Sequence, residues 1–562
     1  MANVAFWILL SFVAFLLMLT KILSGASRRR ENNEDCPAAT DGKTNVGSGR
    51  KTGKKESAFN DEGISYLNSK MAGNEEKKIL PSPRRFPIIG SLHLLRGPAG
   101  PFDAFTKLAD QYGDIYEIQL GVAKCVVVSS YTLLKEVLIT KGNHFGGRPD
   151  FLRFHKLFGG DRNNSLALCD WSDLQRQRRS IARRFCTPRG GSPQQEELSR
   201  IATLEASQLL ATLDHVGSAP ILLGKKSLKP LLLAALANMF TRYMCSTRFS
   251  YADEEFCRIV RSFDEIFWDI NQGYAVDFLP WLSPFYTKHM NRLHDWTTDI
   301  RSFILRRIIE RRRSSLDTIN GIPRDFTDAL LLHLDSPESG LSWQHIIFEL
   351  EDFIGGHSAI GNLVMLILAN AAVHPEVQMK IAEECDFVLS KLDRPKSLIS
   401  LDDRSDMTYT EAVILETLRV ASSPIVPHVA TEDTDIGGYP VTKDTLVFVN
   451  NFGLNLAEAY WGPNSREFRP ERFLQSVETE TGTTKYRVSK PEHFVPFSTG
   501  KRTCIGQKLV QGFAFVIITA LISRFEVQAV SDDLKSHLRS GCVAVPPDSF
   551  NLKFQPRKLT SP

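Results

Sequence analysis

A mainly α fold with small β-sheets, preceded by one N-terminal transmembrane helix, is what this sequence predicts. Three observations carry that reading. Six long stretches space their apolar residues for helices, against three short strand-like runs. No G-x-G-x-x-G opens a βαβ unit, so a doubly wound nucleotide-binding fold is excluded. An uncharged apolar stretch fills residues 2–20, directly before Lys21.

That stretch gives roughly 28 Å of helix, enough for a bilayer core. Positive charge (Lys21, Arg28, Arg29, Arg30) follows it rather than preceding it, unlike a cleaved signal peptide. Residues 1–21 therefore read as a signal anchor that leaves the bulk of the chain in the cytoplasm. Residues 22–80 are polar, mixed in charge and rich in Gly, Ser, Asn, Lys and Glu, and read as a flexible linker. It runs into Leu80-Pro81-Ser82-Pro83-Arg84-Arg85-Phe86-Pro87, whose prolines forbid helix and suggest a rigid hinge. Residues 81–562 are expected to form the catalytic domain.

Helical spacing covers residues 200–213, 256–270, 294–313, 341–373, 375–392 and 409–420. Strand-like runs cover 115–120, 125–129 and 445–449. Ser342 suits the N-cap of the 341–373 helix, and His374-Pro375 its stop. Gly355-Gly356 in its middle costs about 1 kcal/mol per glycine relative to alanine. Close approach to a flat ligand is the expected offset.

Composition narrows the function. A net charge of +4 over 562 residues is too small to argue for nucleic acid. Nine cysteines without a close C-x-x-C pair exclude a disulfide framework or zinc ribbon. Thirty-five phenylalanines point to a large apolar interior.

The most specific stretch is Phe497-Ser498-Thr499-Gly500-Lys501-Arg502-Thr503-Cys504-Ile505-Gly506, directly before an apolar helix pattern. A thiolate bound to haem iron needs a turn with small residues around the sulfur. Gly500 and Gly506 would supply close backbone approach and unusual dihedrals. It also needs a lowered thiol pKa, which a helix N-terminus and a nearby cation favour. Arg502 can pair with a haem propionate, and Phe497 can shield the sulfur. The segment resembles the haem-binding motif F-x-x-G-x-R-x-C-x-G of the cytochrome P-450 superfamily. Cys504 is then the expected axial ligand and sole metal ligand.

Further segments carry the resemblance along the body. Glu416-Thr417-Leu418-Arg419 matches the E-x-x-R of that family and Pro470-Glu471-Arg472-Phe473 follows it, which implies a structural charge network of Glu416, Arg419 and Arg472. His428 resembles a propionate-contacting histidine. Phe145-Gly146-Gly147-Arg148-Pro149 resembles the segment leading into the substrate-pocket loop. Residues 170–185 resemble the helix whose arginine, here Arg178, contacts a propionate. The tryptophan usual four positions earlier is Leu174, with Trp171 as its substitute. Arg176, Arg178, Arg179, Arg183 and Arg184 would form a docking patch for an acidic electron-transfer partner.

One segment departs from the family. The motif [AG]-G-x-[DE]-T, whose acid and alcohol deliver protons to bound oxygen, falls on Gly355-Gly356-His357-Ser358-Ala359. Both usual groups are missing. Oxygen activation is expected around Gly356, His357, Ser358 and Ala359, with protons from Ser358, His357, a substrate hydroxyl or water. Residues 352–362 are similar to the Spook/Spookier group of arthropod cytochromes P-450, within the Halloween set of ecdysteroid-forming enzymes. That resemblance implies a membrane-bound haem-thiolate monooxygenase of the endoplasmic reticulum. It implies haem b, a sterol substrate, electrons from NADPH through a separate NADPH–cytochrome reductase, and cytochrome b5 as a second partner. The pocket would be lined by residues 355–362, 145–151, Ile425 and Val426. The alternatives are a sterol desaturase, isomerase or dehydratase without oxygen insertion, and a non-catalytic haem-binding sensor.

Overall fold

The computed structural model describes residues 78–95, 100–215, 228–314, 322–334, 340–391, 398–422, 426–478, 484–530, 534–538, 542–547 and 550–557. The chain divides into two compact units, Met1–Glu75 and Glu76–Pro562, and every described residue belongs to the second. The expected anchor, residues 22–77 of the expected linker, and Ile425 lie outside the described residues.

In chain order the longer helices are α1 (Gly100–Tyr112), α2 (Asp173–Cys186), α3 (Pro193–His215), α4 (Leu228–Cys245), α5 (Glu254–Ile270), α6 (Thr287–Ile304), α7 (Trp343–Val373), α8 (Pro375–Lys391), α9 (Thr408–Val420) and α10 (Gln507–Arg524). Sequence spacing located most of them. It missed α1 and α4, the latter buried around nearly its whole circumference and so without a polar face. The expected 294–313 helix begins earlier, at Thr287, and changes to a wider turn over Leu305–Ile309.

The strands are few. β1 (Ile115–Leu120) and β2 (Ala123–Val128) form a hairpin, β2 pairs in parallel with β4 (Leu446–Val449), and β4 pairs with β3 (His428–Val429). Leu80 is buried, the Pro81 carbonyl accepts from the Glu117 amide at 2.9 Å, and the Ser91 amide donates to the Gln119 carbonyl at 2.6 Å. The proline segment is therefore stitched along β1 rather than standing free as a hinge.

Helix α7 organises the core. Ser342 caps it by accepting from the His345 amide, and His374 ends it. It is apolar enough to cross a membrane, the only such helix among the described residues, yet 78% of its apolar window is buried inside the fold. Helices α4, α5 and α10 pack against it. A helix apolar all round belongs in such a core.

Candidate functional site

The cysteine segment forms a tight loop leading into α10. Gly500 has φ +69°, and a Cβ there would stand 2.0 Å from the Leu138 carbonyl oxygen. Only glycine fits that turn. Gly506 differs from expectation: it caps α10 at φ −77°, ordinary backbone, and a Cβ there would meet the Cys504 sulfur at 4.0 Å. The Cys504 amide donates to the Phe497 carbonyl at 2.9 Å, closing the loop.

The Cys504 side chain is exposed to a cavity of about 290 Å³. Phe497, Arg502, His428 and Arg148 line it, as do Phe267, Ala359, Leu363 and Val543. Val426, expected there from the sequence, also lines it. Protein packing raises the thiol pKa, while the Gly506 and Gln507 amides and Arg179 pull it down. The expected low thiol pKa is thus not supplied by the protein alone, because desolvation outweighs these partners. A coordinated cation would reverse that balance.

Three arginines gather beside the thiol. Arg502 Nη2 donates to the Gly146 and Cys169 carbonyls, but its Nε and Nη1 are buried without a partner. Arg148 Nε donates to the Ala167 carbonyl and Nη1 to the Pro427 carbonyl, both at 3.2 Å. Burial, then repulsion from Arg502, pushes Arg148 down to about 9. The same two causes push Arg179 down to about 10. His428 Nδ1 lies 3.0 Å from the Phe145 carbonyl, and burial followed by Arg148 holds its pKa well below the usual range. The ring is neutral, Nδ1–H donates, and Nε2 keeps a lone pair. An anion at this edge would relieve the arginines and raise the His428 pKa, so that a protonated Nε2 could donate to it.

Arg178 is placed elsewhere. Its Nε donates to Glu349 at 2.7 Å, Nη1 to the Asn163 carbonyl and Nη2 to the Asn164 carbonyl. With its guanidinium so engaged, it is not part of the cavity edge. Arg148 stands there instead, while Arg179 donates to the Thr503 carbonyl and lines the neighbouring surface depression; sequence reading missed both in these roles. The signal for Arg148 was its place in Phe145-Gly146-Gly147-Arg148-Pro149, and for Arg179 only the dense arginine of its helix. Leu174 packs against the core, while Lys501 and Arg502 lie over the Trp171 ring at 5.3 and 5.7 Å. Of the expected docking patch, Arg178 and Arg179 are buried; Arg176, Arg183 and Arg184 are exposed.

Helix α7 shows the cavity Ala359 and Leu363, one turn apart. A Cβ on Gly355 would meet the Phe263 ring at 3.1 Å, and one on Gly356 the Phe240 ring at 3.3 Å. The glycines therefore admit neighbouring helices α5 and α4, not a flat ligand as the sequence suggested. His357 is buried, its Nδ1 2.6 Å from the Ile354 carbonyl and its ring edge-on to Phe263. Burial lowers its pKa. The Ser358 hydroxyl is buried without a partner. Gly356, His357 and Ser358 thus face the helix packing, and of the four expected residues Ala359 alone lines the cavity.

Behind the cavity Glu416 and Arg419 are wholly buried, joined Oε2 to Nε and Oε1 to Nη2 at 2.7 Å. Arg472 Nε approaches Glu416 at 3.4 Å, and the Arg469 amide donates to Glu416 at 2.8 Å. Arg419 also donates to the carbonyls of Asn455, Ser465 and Glu467.

The family model for cytochrome P450 matches residues 80–554, which contain this whole arrangement. The chain belongs to the cytochrome P450 family. Cytochrome P450 307a1 of Drosophila melanogaster is 47% identical over 500 residues, covering 86% of this chain and 90% of that protein. The steroid 17-alpha-hydroxylase/17,20 lyase of Oryzias latipes is 30% identical over 494 residues, covering 85% and 91%. A zebra fish cytochrome P450 structure with abiraterone has a TM-score of 0.63 at 25% identity, covering 77% of this chain and 93% of that one.

This P450 is an enzyme of the monooxygenase type, and its family implies haem. The residues fit that group. A thiol faces the cavity, and two buried donors of Arg502 lack acceptors beside further cations. Carboxylates at that edge, such as haem propionates, would satisfy those donors and offset the cationic charge.

Proposed function

We propose that this P450 transforms a sterol at an early step of ecdysteroid synthesis. The carrying observation is the 47% identity to an arthropod P450 across 90% of that relative's length, with an apolar cavity opening onto Cys504. Relatives named as steroid 17-alpha-hydroxylases support the steroid class. In this reading Cys504 holds haem b, and Arg502, Arg148 and His428 hold its propionates, with Phe497, Gly500 and Gly506 shaping the sulfur loop. Bound haem supplies activation of dioxygen. Apolar walls at Phe267, Leu363 and Val543 exclude water and orient the substrate. Glu416, Arg419 and Arg472 hold the fold behind the site.

Residues 1–21 anchor the chain in the endoplasmic reticulum membrane, residues 22–80 tether it, and residues 81–562 work in the cytoplasm. Electrons from NADPH arrive through a reductase, with cytochrome b5 as a second partner. The exposed Arg176 and Arg183, with Lys501, line a surface depression that suits an acidic partner.

Ala359 favours a second reading. No acid or alcohol stands at the α7 face of the cavity, so protons must come from substrate or water. That suits a desaturation, rearrangement or dehydration without oxygen insertion. The test is reconstituted full-length protein with reductase, NADPH and a sterol panel under labelled dioxygen. A labelled sterol product is expected for monooxygenation; an unlabelled one selects the second reading. No sterol turned over overturns both.

A further inference from the structure

Behind the apolar wall lies a buried ion pair that the reaction does not use. Lys229, at the start of α4, meets Asp264 of α5 at 2.8 Å, both side chains 3% exposed. Lys229 Nζ also donates to the Val545 carbonyl at 3.1 Å and lies 3.4 Å from the Pro546 carbonyl. Asn362 of α7 completes the group. Its Nδ2 donates to Asp264 Oδ1 at 2.9 Å, and its Oδ1 accepts from the Val545 amide at 3.2 Å. Taking a Lys–Asp pair out of water is costly and is repaid only when further hydrogen bonds complete it, as here.

The network's members adjoin the cavity wall. Phe267 follows Asp264 by one turn of α5. Leu363 follows Asn362 directly. Val543 precedes Val545 by two residues. All three line the cavity. Four separate stretches of chain are therefore fastened together at one polar point, and three of them supply the wall.

We propose that Lys229, Asp264 and Asn362 are positioning residues that set how deep an apolar substrate reaches into the cavity. They touch no substrate themselves. By fixing Phe267, Leu363 and Val543 relative to one another, they hold a wall without polar groups, so the substrate end that meets it carries none. This rests on the cavity taking an apolar substrate, the reading proposed above.

Asn362→Leu removes the amide at nearly constant volume and leaves the ion pair intact. In the full-length holoprotein the Val545 amide should exchange its hydrogen about tenfold faster, the loss of one hydrogen bond. Equilibrium dialysis with apolar ligands of graded length should show long ligands losing affinity about tenfold and short ones unchanged. The product mixture should spread over more carbons while the thiolate-type carbon monoxide spectrum stays intact. Unchanged Val545 exchange, or equal loss at every ligand length, would overturn the proposal. Should Asn362→Leu not fold, the double variant Lys229→Met with Asp264→Leu removes the pair as a unit and must give the same length dependence. Sterols binding no better than other ligands of equal length would sink the sterol reading and leave this one standing.

Discussion

Two buried arginines show how differently this molecule uses charge. Arg419 is completely enclosed, and its donors reach Glu416 and three backbone carbonyls. Arg502 is almost as buried, yet two of its nitrogens have no partner, and Arg148 and Arg179 crowd it with like charge. A satisfied cluster holds elements together. An unsatisfied one beside a cavity is matched to something the chain itself does not contain. The comparison thus separates the part that supports the fold from the part that receives a ligand, with no appeal to chemistry.

The sharpest way to break it is Cys504→Ala. The thiolate-type carbon monoxide spectrum should vanish entirely while far-ultraviolet circular dichroism is unchanged, because the side chain faces the cavity rather than the core. A persisting spectrum would make another cysteine the ligand. Next comes Glu416→Ala, which leaves Arg419 buried without its carboxylate and should cost about 3–5 kcal/mol in urea unfolding. Its counterpart, Arg502→Leu, should cost the haem-free protein less than Glu416→Ala does, because relief of like charge offsets the two lost carbonyl hydrogen bonds, but weaken haem retention. Equal destabilisation by both would erase the distinction.

The two glycines of the sulfur loop sharpen the same contrast. Gly500→Ala meets a carbonyl at 2.0 Å and a positive φ, and should cost about 1–3 kcal/mol. Gly506→Ala meets only van der Waals contact and should cost well under about 1 kcal/mol. A half-satisfied set on α7 gives an effect that depends on pH. Burial pushes Glu349 up to about 7, Glu351 to about 8 and Asp352 to about 6, while Arg178, Arg301 and the Leu166 amide pull them down. Unfolded carboxylates titrate near ~4. Between these values the folded chain holds more protons, so stability should fall as pH rises from about 5 to 8. Glu351→Gln should flatten that slope by about 1.4 kcal/mol per pH unit, measured by unfolding at each pH. A slope of opposite sign would show the ion pairs outweighing burial.

Much of this was legible in the residues. The span of α7, its Ser342 cap and its His374 stop follow from local rules of spacing and capping. Gly500 beside Cys504 announced a turn that no other residue fits. Gly355-Gly356 was legible as an anomaly but not as a cause, because nothing in the helix tells whether Phe240 and Phe263 or a ligand fills the space above it. Helix α4 was hidden for the opposite reason: burial on every side leaves no periodic contrast to detect. Arg178 and Arg148 are chemically identical and equally close to telling motifs. Their fates diverge because Glu349, 171 residues away, captures the first.

By itself, then, the chain determined the helices that carry a polar face and which sulfur is presented at a helix start, since both depend on neighbours within a few residues. Which arginines meet at the cavity edge, which face of α7 looks into it, and where Lys229 finds Asp264 were decided only by tertiary packing. Those pairings depend on the directions of side chains brought together from distant stretches, where desolvation costs as much as any local preference.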